Sequence, residues 1–267
     1  MLLKKFNIKC SKVEWGPYIA VLRETFGVGV LDLDGRYVVK GGLTKFSDLG
    51  WSGKVLGAVS KKRLMMLDFS EGLENVKERS VKLEGALSVV GVDGGFAVGT
   101  EDGRILIVKE GKVVKEIRVA EELPVVRLER TESGSLLAVA GKYNLIILSE
   151  SGEVLAHHSY QWDLSKVRWT PDLEWLVVFN DEVQILKFER EHENYVKLME
   201  VRGRGKDAKW CNSNLCLALD NKVMIYRDFN VGELPRITFT FRCNSCSWAP
   251  KCKGVAMCGS LLAVIKL

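Results

Sequence analysis

The sequence predicts an all-β chain folded as a seven-bladed β-propeller, a closed ring of small antiparallel sheets, and three observations predict it. A tryptophan phrase recurs as KVEWGP at 12–17, KVRWTPD at 166–172, DAKWCNS at 207–213 and SCSWAPK at 245–251. The tryptophans keep a repeat-like spacing, 41 residues from Trp169 to Trp210, 38 from Trp210 to Trp248 and 36 from Trp15 to Trp51. Seven strong apolar strands follow in order: GVGVLDL (27–33), RLMMLDF (63–69), GRILIVKE (103–110), NLIILSE (144–150), EVQILKFE (182–189), KVMIYRDF (222–229) and SLLAVIKL (260–267).

Each strong strand has a weaker partner before it, for example GFAVG (95–99), SLLAVAG (135–141) and EWLVVF (174–179). Glu101-Asp102-Gly103 and Asp220-Asn221 supply the residues that tight hairpin turns require. Alternating and β-branched content without a 3.6-residue apolar period argues strands throughout. A four-stranded sheet of about 40 residues cannot bury both faces alone, so units of this length stack radially. The tryptophan phrase is then the innermost strand of its unit. The chain ends close the argument. The last unit has only three strands, NSCSWAP, GVAMCGS and LLAVIKL, while Leu2 to Ile8 precedes the first phrase and belongs to no complete unit. With strand 2–8 as the outer strand of the blade at 243–267, every edge is paired and one domain spans 1–267.

At 267 residues the chain is long enough for such a single domain, and 47% hydrophobic with 27% charged residues is ordinary globular composition. No apolar run reaches the length that spans a bilayer, and MLLKKFNIKC has the wrong charge order for a secretory signal. The expected location is the cytoplasm, with no membrane partner. Only Gln161 and Gln184 are glutamine, a bias seen in thermophile proteins.

SKVRWTPDLEWLVVFNDEVQIL (165–186) and GTEDGRILIV (99–108) carry the spacing of inner strand, Pro-Asp turn, small apolar strand, acidic turn and apolar strand. In this the chain resembles the WD40-repeat propellers over nearly its full length. No Gly-His opens a repeat and no Trp-Asp closes one; Leu31-Asp32, Leu67-Asp68 and Arg227-Asp228 stand near the strand ends instead. The resemblance therefore implies the architecture without the family's buried Asp/His/Ser/Trp network. It also implies a rigid, non-catalytic platform for protein partners in a complex.

The inventory for catalysis is thin. His157 and His158 are adjacent on a strand and point to opposite faces, and His192 lies in the charged stretch FEREHENY. No Gly-x-Ser-x-Gly, phosphate loop or His-x-x-x-His spacing occurs, so no enzyme, cofactor, metal or small-molecule substrate is expected. Of the seven cysteines, Cys211, Cys216, Cys243, Cys246, Cys252 and Cys258 follow residue 210 and Cys10 precedes the first repeat. Three readings stay open: small apolar packing, disulfides, or zinc at Cys243-x-x-Cys246 completed by Cys252 or Cys258. Any bridge from Cys10 would join the two chain ends.

Charge is unevenly spread. Residues 200–267 hold eleven basic against five acidic side chains, and Lys4, Lys5, Lys9 and Lys12 join them if the ends meet. RGRGK at 202–206 lies before an inner strand, on the same face as SKKR (60–63) and GKYN (141–144). The residues proposed to bind a partner are Arg202, Arg204, Lys206, Lys61, Lys62, Arg63, Lys142 and Arg242, with Trp162 as an aromatic anchor. Their role would be recognition of an acidic protein surface by charge-assisted hydrogen bonds. The alternative is RNA or single-stranded DNA binding through the basic sector, arginines beside a stacking aromatic. A plain solvated charge run is the third reading. RETF (23–26) and AEELP (120–124) make the face mixed in sign, and net charge +5 is low for a dedicated nucleic-acid protein.

Overall fold

In the computed structural model each tryptophan phrase falls in the first strand of a sheet or the residues beside it. The structure describes residues 2–131, 133–149, 151–161, 163–170, 172–179, 181–191 and 194–267. Among these, seven four-stranded antiparallel sheets form. The closing strand is β1 (Leu2–Phe6). The first sheet is β2 (Cys10–Trp15), β3 (Ile19–Arg23), β4 (Val28–Leu31) and β5 (Tyr37–Lys40). The second is β6 (Asp48–Ser52), β7 (Val55–Ser60), β8 (Arg63–Asp68) and β9 (Lys77–Lys82), and the third β10 (Ala86–Val92), β11 (Gly95–Thr100), β12 (Arg104–Lys109) and β13 (Lys112–Arg118). The fourth is β14 (Val125–Arg130), β15 (Leu136–Ala140), β16 (Asn144–Leu148) and β17 (Val154–Ser159), and the fifth β18 (Val167–Trp169), β19 (Trp175–Phe179), β20 (Val183–Glu189) and β21 (Asn194–Val201). The sixth is β22 (Gly205–Cys211), β23 (Asn214–Leu219), β24 (Val223–Tyr226) and β25 (Ile237–Phe239). The seventh takes β26 (Cys243–Trp248), β27 (Gly254–Gly259) and β28 (Leu262–Lys266) and is completed by β1.

All seven strong apolar strands of the sequence are third strands. Their runs are continuous rather than alternating because both faces are covered, as in β8 and β12, whose central residues are all buried. Fourth strands are less buried than third strands, and KERSVK in β9 and KVVKEIR in β13 put charge on an edge that would otherwise recruit another strand. The closure is antiparallel, with Leu3 opposite Ile265 and Phe6 opposite Leu262. The fold is the all-β, seven-bladed propeller that the repeat predicts.

The chain forms two compact units, Gly16–Ser165 and, from both chain ends, Met1–Trp15 with Lys166–Leu267. In the first, Ala20, Val28 and Val30 pack with Leu56, Ala58, Met65 and Leu67 from the next sheet. In the second, Cys216, Ala218, Val223 and Ile225 pack with Cys246, Val255, Met257 and Ile265.

Polar side chains of the first strands tie neighbouring sheets together. In Gly16–Ser165 the Val89 amide donates to Asp48 Oδ2 at 2.9 Å, and the Ser88 hydroxyl donates to the Val125 carbonyl at 2.8 Å. In the other unit Asp207 accepts from Arg168 Nε at 3.0 Å, the Ser245 hydroxyl at 3.0 Å and the Cys246 amide at 3.3 Å. The Trp15 amide donates to Ser247 Oγ at 3.0 Å, and Trp248 Nε1 donates to the Lys209 carbonyl at 2.8 Å. Register shifts near the starts of β10, β22 and β26 fall beside Ser88, Asp207 and Ser245, where a bulge re-aims the side chain. This set of bonds serves where the WD40 resemblance implied that the family's own network is missing.

The cysteines divide between two of the three readings. Cys10 is bridged to Cys258 and Cys211 to Cys252, with Cα separations of 5.6 Å and 5.8 Å, while Cys216, Cys243 and Cys246 are free and buried. Both cysteines offered to complete a zinc site are thus committed elsewhere. Among the described residues no group of three or more His, Cys, Asp or Glu is placed to hold a metal ion.

Candidate functional site

Links from a fourth strand to the next first strand meet the turns between second and third strands. In Gly16–Ser165 backbone hydrogen bonds join them in alternation, Gly27 to Thr44 at 2.9 Å, Leu83 to Lys62 at 3.0 Å, Glu101 to Gly85 at 2.8 Å, Val119 to Gly103 at 3.0 Å and Gly141 to Pro124 at 2.8 Å, each amide named first. Gly103 shows why such a turn needs glycine: its φ is 81°, and a Cβ there would lie 1.8 Å from the Ala120 carbonyl oxygen.

Where the link at 41–47 meets the turn at 60–63 they leave a pocket of about 640 Å³, lined by residues 44–47 and 60–63. Arg63 is fixed on its wall, because Nη2 donates to Thr44 Oγ1 at 2.7 Å and the guanidinium carbon lies 5.7 Å from the Phe46 ring centroid. Lys61 pairs with Glu101 at 2.6 Å. Lys45 and Lys62 are exposed, and Leu43, beside Thr44 in the link, is 85% exposed. The turn at 141–144 carries exposed Lys142 and Tyr143, tied by the Leu164 amide to the Lys142 carbonyl at 2.6 Å. Three of the four basic residues expected to contact a partner in this unit therefore line one cavity. Residues 44–47, which with Ser60 complete it, are not evident from the sequence because a loop has no periodicity to mark which side chains face a neighbouring turn.

In the other unit Arg204, Lys206 and Arg242 gather on Asp220. Lys206 Nζ sits 2.9 Å from Asp220 Oδ1 and the Asp220 amide donates to the Arg204 carbonyl at 3.0 Å. The Lys206 hydrogen bond, with added attraction from Arg204 and Arg242, holds the Asp220 carboxyl below its ordinary range. Arg202 does not join them; its charge acts on Glu182 and Glu200 instead. The basic sector is thus threaded with carboxylates. Lys4 and Lys5 do come to the C-terminal sheet, opposite Val264 and Ala263, while Lys12 lies 3.7 Å from Glu14. Trp162, the expected aromatic anchor, lies outside the described residues, as does His192.

His157 and His158 lie on the exposed fourth strand β17, where His157 Nε2 is 3.1 Å from Asn144 Oδ1 and the His158 ring lies 6.3 Å from Tyr160. Burial pushes the Cys216 and Cys243 thiols up, and a hydrogen bond with Cys216 followed by burial does the same for Cys246. Thiols so held are poor nucleophiles.

No protein-family model matches the chain, and no curated protein does. Solved structures match along the whole length. The Cps50 (Swd1) β-propeller domain of Myceliophteria thermophila aligns with a TM-score of 0.71 at 16% identity, covering 100% of both chains. A chain of the Mitotic Checkpoint Complex gives 0.70 at 12%, covering 100% of this chain and 91% of that one. A chain of Kuenenia stuttgartiensis hydrazine synthase gives 0.74 at 12%, covering 99% and 97%. At such identities the likeness is one of fold, and the class it defines is the seven-bladed β-propeller. The same scaffold serves an enzyme in one neighbour, so function has to be argued from side chains.

Proposed function

We propose that the chain is a non-catalytic, cytoplasmic protein-interaction scaffold that presents its face of interstrand links and turns to a partner in a complex. The observation that carries this reading is the pocket between residues 44–47 and 60–63, rimmed by basic side chains and flanked by exposed Leu43. Exposed Leu43 and the lysine stems supply apolar contact area inside a charged rim, the arrangement of a small interface. One fold neighbour, a chain of the Mitotic Checkpoint Complex, supports the same reading. The nucleic-acid alternative has weaker support, since Asp220 sits among the arginines that would hold phosphate.

Cross-linking and affinity capture from the source organism test it. The wild-type chain is expected to retain a stoichiometric protein partner, and combined reversal of Lys61, Lys62 and Lys142 to glutamate is expected to release it. A wild-type chain that retains none, or a folded triple variant that retains it fully, refutes the reading.

A further inference from the structure

We infer that the pocket between residues 44–47 and 60–63 holds an acidic, extended segment of the partner, with one bulky apolar side chain of that segment seated in it. The inference rests on the scaffold reading above and names what occupies it. Four of the lining residues are basic, Lys45, Lys61, Lys62 and Arg63, and none is a carboxylate. Such a cavity disfavours an electroneutral or basic occupant and draws an acidic one.

The charges differ in how they are held. Arg63 is already oriented by the Thr44 hydroxyl and the Phe46 ring, so engaging a carboxylate costs little of its rotamer freedom. Lys61 shows the chemistry in miniature, its ammonium taking Glu101 from the adjacent turn. Lysine stems and Phe46 give the cavity apolar walls below the charged heads. Exposed Leu43 extends that surface along the link. A pocket of about 640 Å³ has room for a bulky side chain and its neighbours.

RNA fits less well. Single strands are held by open aromatic faces on which bases stack. Phe46 is only 8% exposed and has a guanidinium beside its ring, so it offers no such face.

The test is fluorescence anisotropy with a fluorescein-labelled synthetic peptide, one phenylalanine between runs of glutamate. Its controls are a twin with lysine for glutamate, a twin with glycine for the phenylalanine, and oligouridylate RNA. The acidic peptide is expected to bind saturably and to weaken as salt rises. The lysine twin should not bind, the glycine twin should bind about tenfold more weakly, and K45E/K62E should weaken the acidic peptide by roughly tenfold or more. Both substituted lysines are exposed, and a thermal melt checks that the variant folds; should it not, the glycine twin on the wild-type chain still decides. No binding of the acidic peptide, equal binding of the glycine twin, equal binding by folded K45E/K62E, or RNA that competes at equal affinity overturns the inference. Loss of this inference leaves the scaffold reading intact if a cellular partner is captured equally by wild type and K45E/K62E. Failure of the wild type to capture any partner removes the scaffold reading itself.

Discussion

Asp207 is a carboxylate that water scarcely reaches, and its three hydrogen bonds come from a guanidinium, a hydroxyl and an amide on three different residues. Burial alone would raise its pKa. The charges of Arg168 and Lys209 and the bonds from Ser245 and Arg168 outweigh burial, so the carboxyl is held below its ordinary 3.8. A carboxylate with a depressed folded pKa contributes stability that is complete above the unfolded value and is lost as pH falls through the folded one. Asp207→Ala takes the carboxylate away from Arg168 Nε, the Ser245 hydroxyl and the Cys246 amide together, and we expect it to cost about 3–5 kcal/mol in urea denaturation at neutral pH. The wild-type advantage over Asp207→Asn should be full at neutral pH and should shrink as pH falls below about 4. A cost under about 1 kcal/mol, or a gap independent of pH, would show that the ion pair contributes nothing net. The residue was legible in part. Asp207 and Ser245 open the phrases at 207–213 and 245–251, three positions before Trp210 and Trp248, and Asp48 stands at the same distance before Trp51. The meaning of that spacing was hidden because the partner of each lies in another repeat, about 40 residues away.

At the scale of elements, closure rests on two devices that differ in chemistry. Strand β1 satisfies the free edge of β28 through backbone bonds, and Cys10–Cys258 ties the first strand of the first sheet to the second strand of the last. Cys211–Cys252 adds a tie between the sixth sheet and the segment after β26. Bridges that close long loops stabilise by about 3–5 kcal/mol in the chain-entropy account. Alkylation of the denatured, unreduced chain is accordingly expected to label three cysteines, and of the reduced chain all seven. Reduction should lower the melting temperature, and removal of residues 1–8 should leave β28 open and drive self-association, visible by light scattering. Seven labels without reductant would remove the bridges from the account while leaving β1 in place. The closing strand was legible because an incomplete last repeat and an orphan first strand are both visible in the chain. The bridges were legible only as one of three open readings, with Cys10 marked as the end-joining cysteine; the pairing of Cys211 with Cys252 was not, since the two are brought within reach only by the stacking of neighbouring sheets.

At the scale of the molecule, the difference between what was legible and what was not follows from periodicity. Burial on both faces writes itself into GRILIVKE and RLMMLDF as unbroken apolar runs, and the ring is inferred from their count. Recognition residues sit in links and turns, where Lys61, Lys62 and Arg63 are visible as a charge run but their neighbours Thr44 and Phe46 are not. The same periodicity bears on how the chain unfolds. A sheet of four short strands has no interior of its own, so its stability is that of its contacts with neighbours. One compact unit, moreover, is assembled from both ends of the chain, and the segment 16–165 is inserted between its parts. Neither end can complete that unit alone. We propose on this ground that residues 1–267 behave as one domain. Calorimetry should then give a single transition whose calorimetric and van't Hoff enthalpies agree. Deleting residues 1–15 should abolish that transition in the region 166–267 rather than merely shift it. A second, independently melting transition in the intact chain would mean that 16–165 folds alone. The propeller would then be two cooperative bodies on one chain.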